Sequence, residues 1–364
     1  MHSHKQPRSK KLYFRKPENA NSMKKVLLIF VSLLITATIF AQADSTSYYF
    51  KKGLDEKAKG HSTIALQHFE KAYNLNKTNK EIVSELAADY LSLRRYAQAR
   101  EKYLQLETMG DKSDSTYRQL TLLSFNARMW DDAIKYALIF KKQNVNEKLA
   151  WYIGKSYYEK EDLGNAIRYF GYAAKEDPTN PEIPYNIARA YADMMNFKEA
   201  VPYFLKAIEL NPNNARWIYE MALIYYALPD EQNSLKYMLL AAEKGYKQDN
   251  EYLQNLAIAY TNAGKPGEAI NLLKGILEKR PSDVNIIDML AEAFYDSKKY
   301  DEAISYYDKL LQMNARNGEA MYMMGMCFQK KGEKQKGMAL CDKAIQLDPS
   351  LQSLKQEKKM PGGF

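Results

Sequence analysis

Residues 183–212 read IPYNIARAYADMMNFKEAVPYFLKAIELNP. Ile187, Ala188 and Tyr191 fall at helical intervals, and so do Ala200, Phe204 and Ala207, which predicts two amphipathic helices in succession. Pro212 stops the second helix, because a proline has no amide proton to continue the ladder and its ring collides with the preceding turn. The same arrangement returns further on, with Leu290, Ala291 and Phe294 on one helix and Ala303, Tyr307 and Leu310 on the next.

Outward from this stretch, small residues recur at Ala65, Ala99, Ala133, Ala166, Ala200, Ser234, Ala269, Ala303 and Gly337, at intervals of 33 to 35 residues. A second small-residue series, Gly53, Ala87, Thr121, Gly154, Ala188, Ala222, Ala257, Ala291 and Gly325, runs twelve residues ahead of it. Two helices cross closely only where neither presents a bulky Cβ substituent, and large residues then fill the space above and below. Each pair of small residues therefore predicts one helix crossing per repeat.

This pattern of large, small and aromatic residues closing on a proline, met by Pro178, Pro212, Pro281 and Pro349, resembles the tetratricopeptide repeat. Nine units in register, spanning 44–349, carry the resemblance. It implies an all-α fold, a right-handed α-solenoid whose first helices line a concave groove that holds a peptide or a partner helix. Transferred by position, the groove residues are Trp151, Tyr185 and Tyr219, flanked by Lys155, Tyr158, Arg189, Arg216 and Tyr226. Large aromatics and arginines dominate interface energetics, so these either bind a partner or pack on neighbouring helices. The family's carboxylate clamp is disfavoured: Asn186 and Asn255 match its common Asn, but Lys155 stands where an Asn is expected and Trp151 where a Lys is. The first unit carries Lys52 and Glu56 at apolar positions, and the third carries Ser124 and Ala137 where aromatics usually stand, which predicts repacking or a soft spot. Residues 350–364 are expected to form a capping segment and a fraying tail.

Composition agrees with a helical chain: 364 residues, 46% of them hydrophobic, with only 16 Gly and 12 Pro to make turns. Two Cys allow no disulfide framework, and Cys327 and Cys341 are expected as buried thiols, a disulfide being the alternative. The net charge of +9 invites a nucleic-acid reading, yet eight basic residues stand against the single acid Glu18 within residues 1–41. The remainder is nearly neutral, and nucleic acid is not expected as a partner.

The basic segment has the layout of an export signal over 23–43: Met23-Lys24-Lys25, an apolar run from Val26 to Phe40, and Ala41-Gln42-Ala43 for the peptidase. Cleavage after Ala41 or Ala43 predicts a periplasmic or secreted protein, with an uncleaved anchor as the alternative. Residues 1–22 read as an upstream extension ahead of Met23. No catalytic constellation, cofactor motif or metal set is apparent; His61 and His68 lack a third ligand. The expected function is a non-catalytic interaction scaffold of the cell envelope that binds a peptide or protein. The alternative is a glycan-binding protein stacking sugars on the same aromatics, with Glu159, Asp193 and Asp288 loosely placed to assist.

Overall fold

The computed structural model describes residues 20–143 and 148–353. The expected extension at 1–22 and the tail beyond 353 lie wholly or mostly outside the described residues. Among those described, eighteen α-helices and no strand occur.

The first of two compact units, Met1–Glu147, contains α1 (Ala20–Ala58), α2 (Ser62–Leu75), α3 (Lys80–Ser92), α4 (Tyr96–Thr108), α5 (Asp114–Asn126) and α6 (Trp130–Gln143). The second, Lys148–Phe364, contains α7 (Ala150–Glu159), α8 (Leu163–Glu176), α9 (Glu182–Asp193), α10 (Phe197–Leu210), α11 (Ala215–Ala227) and α12 (Glu231–Glu243). It continues with α13 (Asn250–Asn262), α14 (Pro266–Lys279), α15 (Val284–Asp296), α16 (Tyr300–Met313), α17 (Gly318–Lys330), α18 (Lys334–Leu347) and a short 3-10 turn, Pro349–Leu351. Odd-numbered helices pack on the even-numbered ones that follow, and each pair packs on the next within its unit. This is an α-solenoid.

Side-chain caps mark where helices begin. Asn79, Ser113, Asp162, Asn214, Asp230, Asp249, Asp283 and Asn317 each accept from an amide of the first turn that has no partner within the helix. Within the pairs, the turns share a left-handed residue, Arg94, Arg128, Glu161, Met195 and Lys298 filling the place that Gly264 and Gly332 take elsewhere.

The small residues do sit at the crossings. Ala65, Ala99, Ala166, Ala200, Ala269 and Ala303 have no exposed surface. A Cβ on Gly154 would lie 2.8 Å from the Phe170 ring, and one on Gly53 would lie 2.5 Å from that of Phe69. Above the crossings, aromatic pairs join the two helices of a repeat: Tyr157 on Tyr169, Tyr191 on Tyr203, Tyr225 on Tyr237 and Phe294 on Tyr306, with centroids 5.4 to 5.7 Å apart.

Ser124, where no ring is available, is wholly enclosed and accepts a hydrogen bond of 3.1 Å from Arg100 Nε of α4. The Arg100 guanidinium also pairs with Asp132 of α6, so a polar strut stands at Ser124 in the third repeat, while Tyr136 stacks instead on Tyr117 with centroids 6.2 Å apart. In the first repeat, α1 runs on without interruption from the segment read as a leader, and Lys52 is exposed. Lys57 instead ties α1 to α3, 2.5 Å from Glu85 and 3.1 Å from the buried Asp89. No helix among the described residues is long and apolar enough to cross a membrane. Cys327 and Cys341 are both buried thiols outside any disulfide, and burial pushes the Cys327 thiol up to about 12.

Candidate functional site

The first helices of successive repeats in the second unit, α7, α9, α11 and α13, bring most of the anticipated residues into two linked groups. In the first, Lys155 lies 2.8 Å from Glu159 and 4.5 Å above the Tyr158 ring. The Tyr158 hydroxyl reaches across to α9 and donates to Asp193 at 2.5 Å. Burial and that carboxylate push the phenol up, so it remains a donor throughout the physiological range.

Arg189, one turn before Asp193, stands 3.9 Å from it and donates at 3.3 Å to the Tyr185 hydroxyl. Tyr185 in turn donates to Glu220 of α11 at 2.9 Å, and Arg216 Nε holds the other oxygen of Glu220 at 2.9 Å. The bond to Tyr185 and the charges nearby outweigh burial and keep the Arg189 guanidinium firmly protonated. A chain of alternating donors and acceptors therefore runs from α7 to α11, with cations and carboxylates matched along it.

The second group surrounds Tyr219. Its ring lies 4.3 Å from that of Tyr246, and its hydroxyl accepts from Asn255 Nδ2 of α13 at 2.7 Å. Tyr219 is only 6% exposed, so its area is used inside the fold. Tyr185 has a mixed position: its ring stacks on Trp217 at 4.6 Å and meets the Phe204 ring edge-on, yet it remains half-buried rather than enclosed. Trp151 is half-buried against Tyr152 and packs on the cluster of Phe170 and Ile183. Tyr226 is 52% exposed and lies outside both groups.

Trp217, Tyr246 and Glu220 were not anticipated. Trp217 and Tyr246 fall away from the family's groove positions, and only the neighbouring helices bring them onto Tyr185 and Tyr219. Glu220 follows an apolar-to-polar step on α11 that gives no sign of its partners.

On α15 the repeat register continues with acids alone. Asp288 occupies the position of Trp151, Tyr185 and Tyr219; Glu292 that of Lys155 and Arg189; Asp296 that of Glu159 and Asp193. Burial and the carboxylates of Asp288, Asp296 and Glu319 push Glu292 up to about 7, although water still reaches its side chain along the open face. Burial also raises Asp288 and Asp296.

A carboxyl whose folded value lies above the reference of 4.5 binds its proton more tightly when folded, so stability falls as pH rises from about 4.5 to about 7. Glu292→Gln removes this loss. The variant should match the wild type near about pH 4 and exceed it by about 1 kcal/mol near about pH 8, a value kept small by solvent screening. Urea midpoints at the two pH values check it; an equal gap at both would contradict it.

Among the described residues, no group of three or more His, Cys, Asp or Glu side chains is arranged to hold a metal ion.

Tetratricopeptide-repeat family profiles match residues 185–214 and 289–351. No curated protein matches the chain. Among solved structures, "YrrB: a TPR protein with an unusual peptide-binding site" is 19% identical, covering 52% of this chain and 98% of its own, with a TM-score of 0.42. The C-terminal part of a TPR repeat-containing protein from Cytophaga hutchinsonii is 16% identical over 76% of this chain and 99% of its own, with a TM-score of 0.43. PilF of Pseudomonas aeruginosa is 18% identical over 60% of this chain and 100% of its own, with a TM-score of 0.37. Scores this low bear on neither partner nor activity. The matched stretches, 185–214 and 289–351, are tetratricopeptide repeats, and the helix pairs between them keep the same register.

Proposed function

We propose that the chain is a non-catalytic scaffold, exported to the cell envelope, that holds a peptide or protein partner against the first-helix face of α7, α9 and α11. Tetratricopeptide repeats are interaction modules, and that general role follows from the family. The observation that carries the specific reading is the Tyr158–Asp193–Arg189–Tyr185–Glu220–Arg216 chain, which presents aromatic edges and guanidinium groups in fixed positions across three consecutive first helices. Groups held in place before a partner arrives lose little freedom on binding, and an arginine so held donates readily to backbone carbonyls and carboxylates.

A glycan reading is less well supported. Trp217 and Tyr246 already cover one face of the Tyr185 and Tyr219 rings, and Asp193 and Glu220 are engaged. Export rests on Met23-Lys24-Lys25, the apolar run and Ala41-Gln42-Ala43; recovery of a mature protein starting at Gln42 or Asp44 by mass spectrometry would support it.

The binding test compares Arg189→Ala and Tyr185→Phe with wild type against a partner captured from envelope extract. Tyr185→Phe is preferred to the alanine variant because it keeps the stack on Trp217 while removing both hydroxyl bonds. Arg189→Ala should weaken binding by about tenfold to a hundredfold, equivalent to about 1–3 kcal/mol, with Tyr185→Phe at the lower end. Unchanged affinity in both, with normal melting, would remove this face as the site.

A further inference from the structure

We propose that the α9–α11 face takes uncharged acceptors of a peptide, main-chain carbonyls or Asn and Gln side chains, and rejects carboxylates, with Asp193 and Glu220 as the residues that set this specificity. The inference rests on the reading that a partner lies on this face, and it narrows the two classes of acceptor open to an arginine to one.

Arg189 is where the two classes part. Its side chain is 33% exposed, so a partner can reach it. A guanidinium carries five N–H donors. Among the described residues one hydrogen bond leaves it, from Nη1 to the Tyr185 hydroxyl at 3.3 Å. Asp193 and Glu220 each stand 3.9 Å away, close enough to act as counter-ions and too far to hydrogen-bond. The two guanidinium groups of Arg189 and Arg216 thus face two carboxylates. Donors remain to be used, but no positive charge is left over.

Neither carboxylate is placed to turn away. Glu220 takes the Tyr185 hydroxyl on one oxygen and Arg216 Nε on the other, both at 2.9 Å. Asp193 is held from α7 by the Tyr158 hydroxyl at 2.5 Å. A partner carboxylate seated on Nη1 and Nη2 of Arg189 at about 2.8 Å would lie within about 7 Å of both acids. Charges act over about 8 Å at physiological salt, so it would meet two fixed like charges largely unscreened. A carbonyl oxygen in the same place accepts from the guanidinium and adds no charge.

The next helix continues the preference. Leu223 occupies on α11 the position that Arg189 holds on α9, so the cation is not repeated there. Leu223 is 37% exposed and Tyr226, one turn along, 52% exposed, which offers area to an uncharged segment and no attraction to an acidic one.

Labelled hexa-asparagine and hexa-aspartate, which differ only in the charge of their side chains, are titrated into the full-length chain by fluorescence anisotropy. Basic residues within 1–41 attract hexa-aspartate in every variant, so variants are compared with one another. The wild type should bind hexa-asparagine, and Arg189→Ala should weaken that by at least about tenfold. In Asp193→Asn/Glu220→Gln both side chains keep an oxygen for their tyrosine. That variant should shift the ratio of the two affinities at least about tenfold towards hexa-aspartate, and Arg189→Ala in the same chain should cancel the shift. If the double variant melts early, Asp193→Asn alone, at an exposed position, should still give part of it. Glu199→Gln/Glu209→Gln, which removes two exposed acids of α10, should shift nothing. Absence of hexa-asparagine binding, an unshifted ratio, or a shift that survives Arg189→Ala overturns the proposal. The scaffold reading fails separately, by an unchanged affinity of Arg189→Ala and Tyr185→Phe for the captured partner.

Discussion

Phe204→Ala should lower the stability of the second unit by about 3–5 kcal/mol, read as a fall in the urea midpoint of the far-ultraviolet helix signal. Phe204 is 1% exposed and lies in a cluster with Ala188, Ala200, Met221 and Ile224. It therefore joins the α9–α10 pair internally and also to α11. Ala188 and Ala200 mark a crossing where small residues already let the helices approach, so the backbone has little room to close over the lost ring. The cavity stays open and adds to the lost transfer free energy. Tyr185 also loses the ring it meets edge-on, and binding at the α9 face should weaken secondarily. Tyr191→Ala offers a comparison: its ring is half-buried on Tyr203, and its loss should cost distinctly less. Equal losses for the two variants would show that the ring pairs, and not the enclosed phenylalanine, carry the repeat.

Gly337→Ala should unfold α17 and α18 ahead of the preceding repeats. A Cβ at Gly337 would stand 2.4 Å from the Gly325 carbonyl oxygen and 2.9 Å from the Gln329 amide nitrogen. Both contacts are backbone, so no rotamer change relieves them and the helices must move apart, at about 1–3 kcal/mol or more. Gly275→Ala, on α14, meets nothing within 4 Å and should stabilise its helix by about 0.5–1 kcal/mol. The two identical substitutions thus carry opposite signs. Because repeats interact mainly with their neighbours, amide exchange in the Gly337 variant should accelerate in α17 and α18 while α7 to α10 remain protected. Uniform acceleration would mean that the unit melts as a whole.

Much of the fold was legible because one repeat contains its own crossing rule. Ala200 with Ala188, and Gly337 with Gly325, announce the helix pairs by spacing alone, and Phe204 follows by its place beside them. The candidate site was legible only in outline. Arg189 and Tyr185 could be placed by register, but whether a ring faces solvent depends on the helix beside it: Trp217 on Tyr185 and Tyr246 on Tyr219 come from other positions of the repeat. The strut from Arg100 to Ser124 was hidden for the same reason, since the sequence shows a missing ring but not the long side chain that replaces it. Asp288 looked like a loosely placed carboxylate until Glu292, Asp296 and Glu319 were seen to act together, without a cation among them.

The change from matched charges on α9 to unmatched ones on α15 makes ionic strength a lever on the two stretches separately. The range of an exposed charge shrinks from about 10 Å at 0.1 M salt to about 3 Å at 1 M. On α9 and α11 the ions already have partners at contact distance and the rings hold by area, so added salt takes little away. On α15 the carboxylates of Asp288, Glu292 and Asp296 repel one another without a cation between them, and salt weakens that repulsion. Rising salt should therefore steady the helix pair built on α15 while leaving the paired ions of α9 nearly as they were, so that two stretches of one face answer the same change of solvent differently.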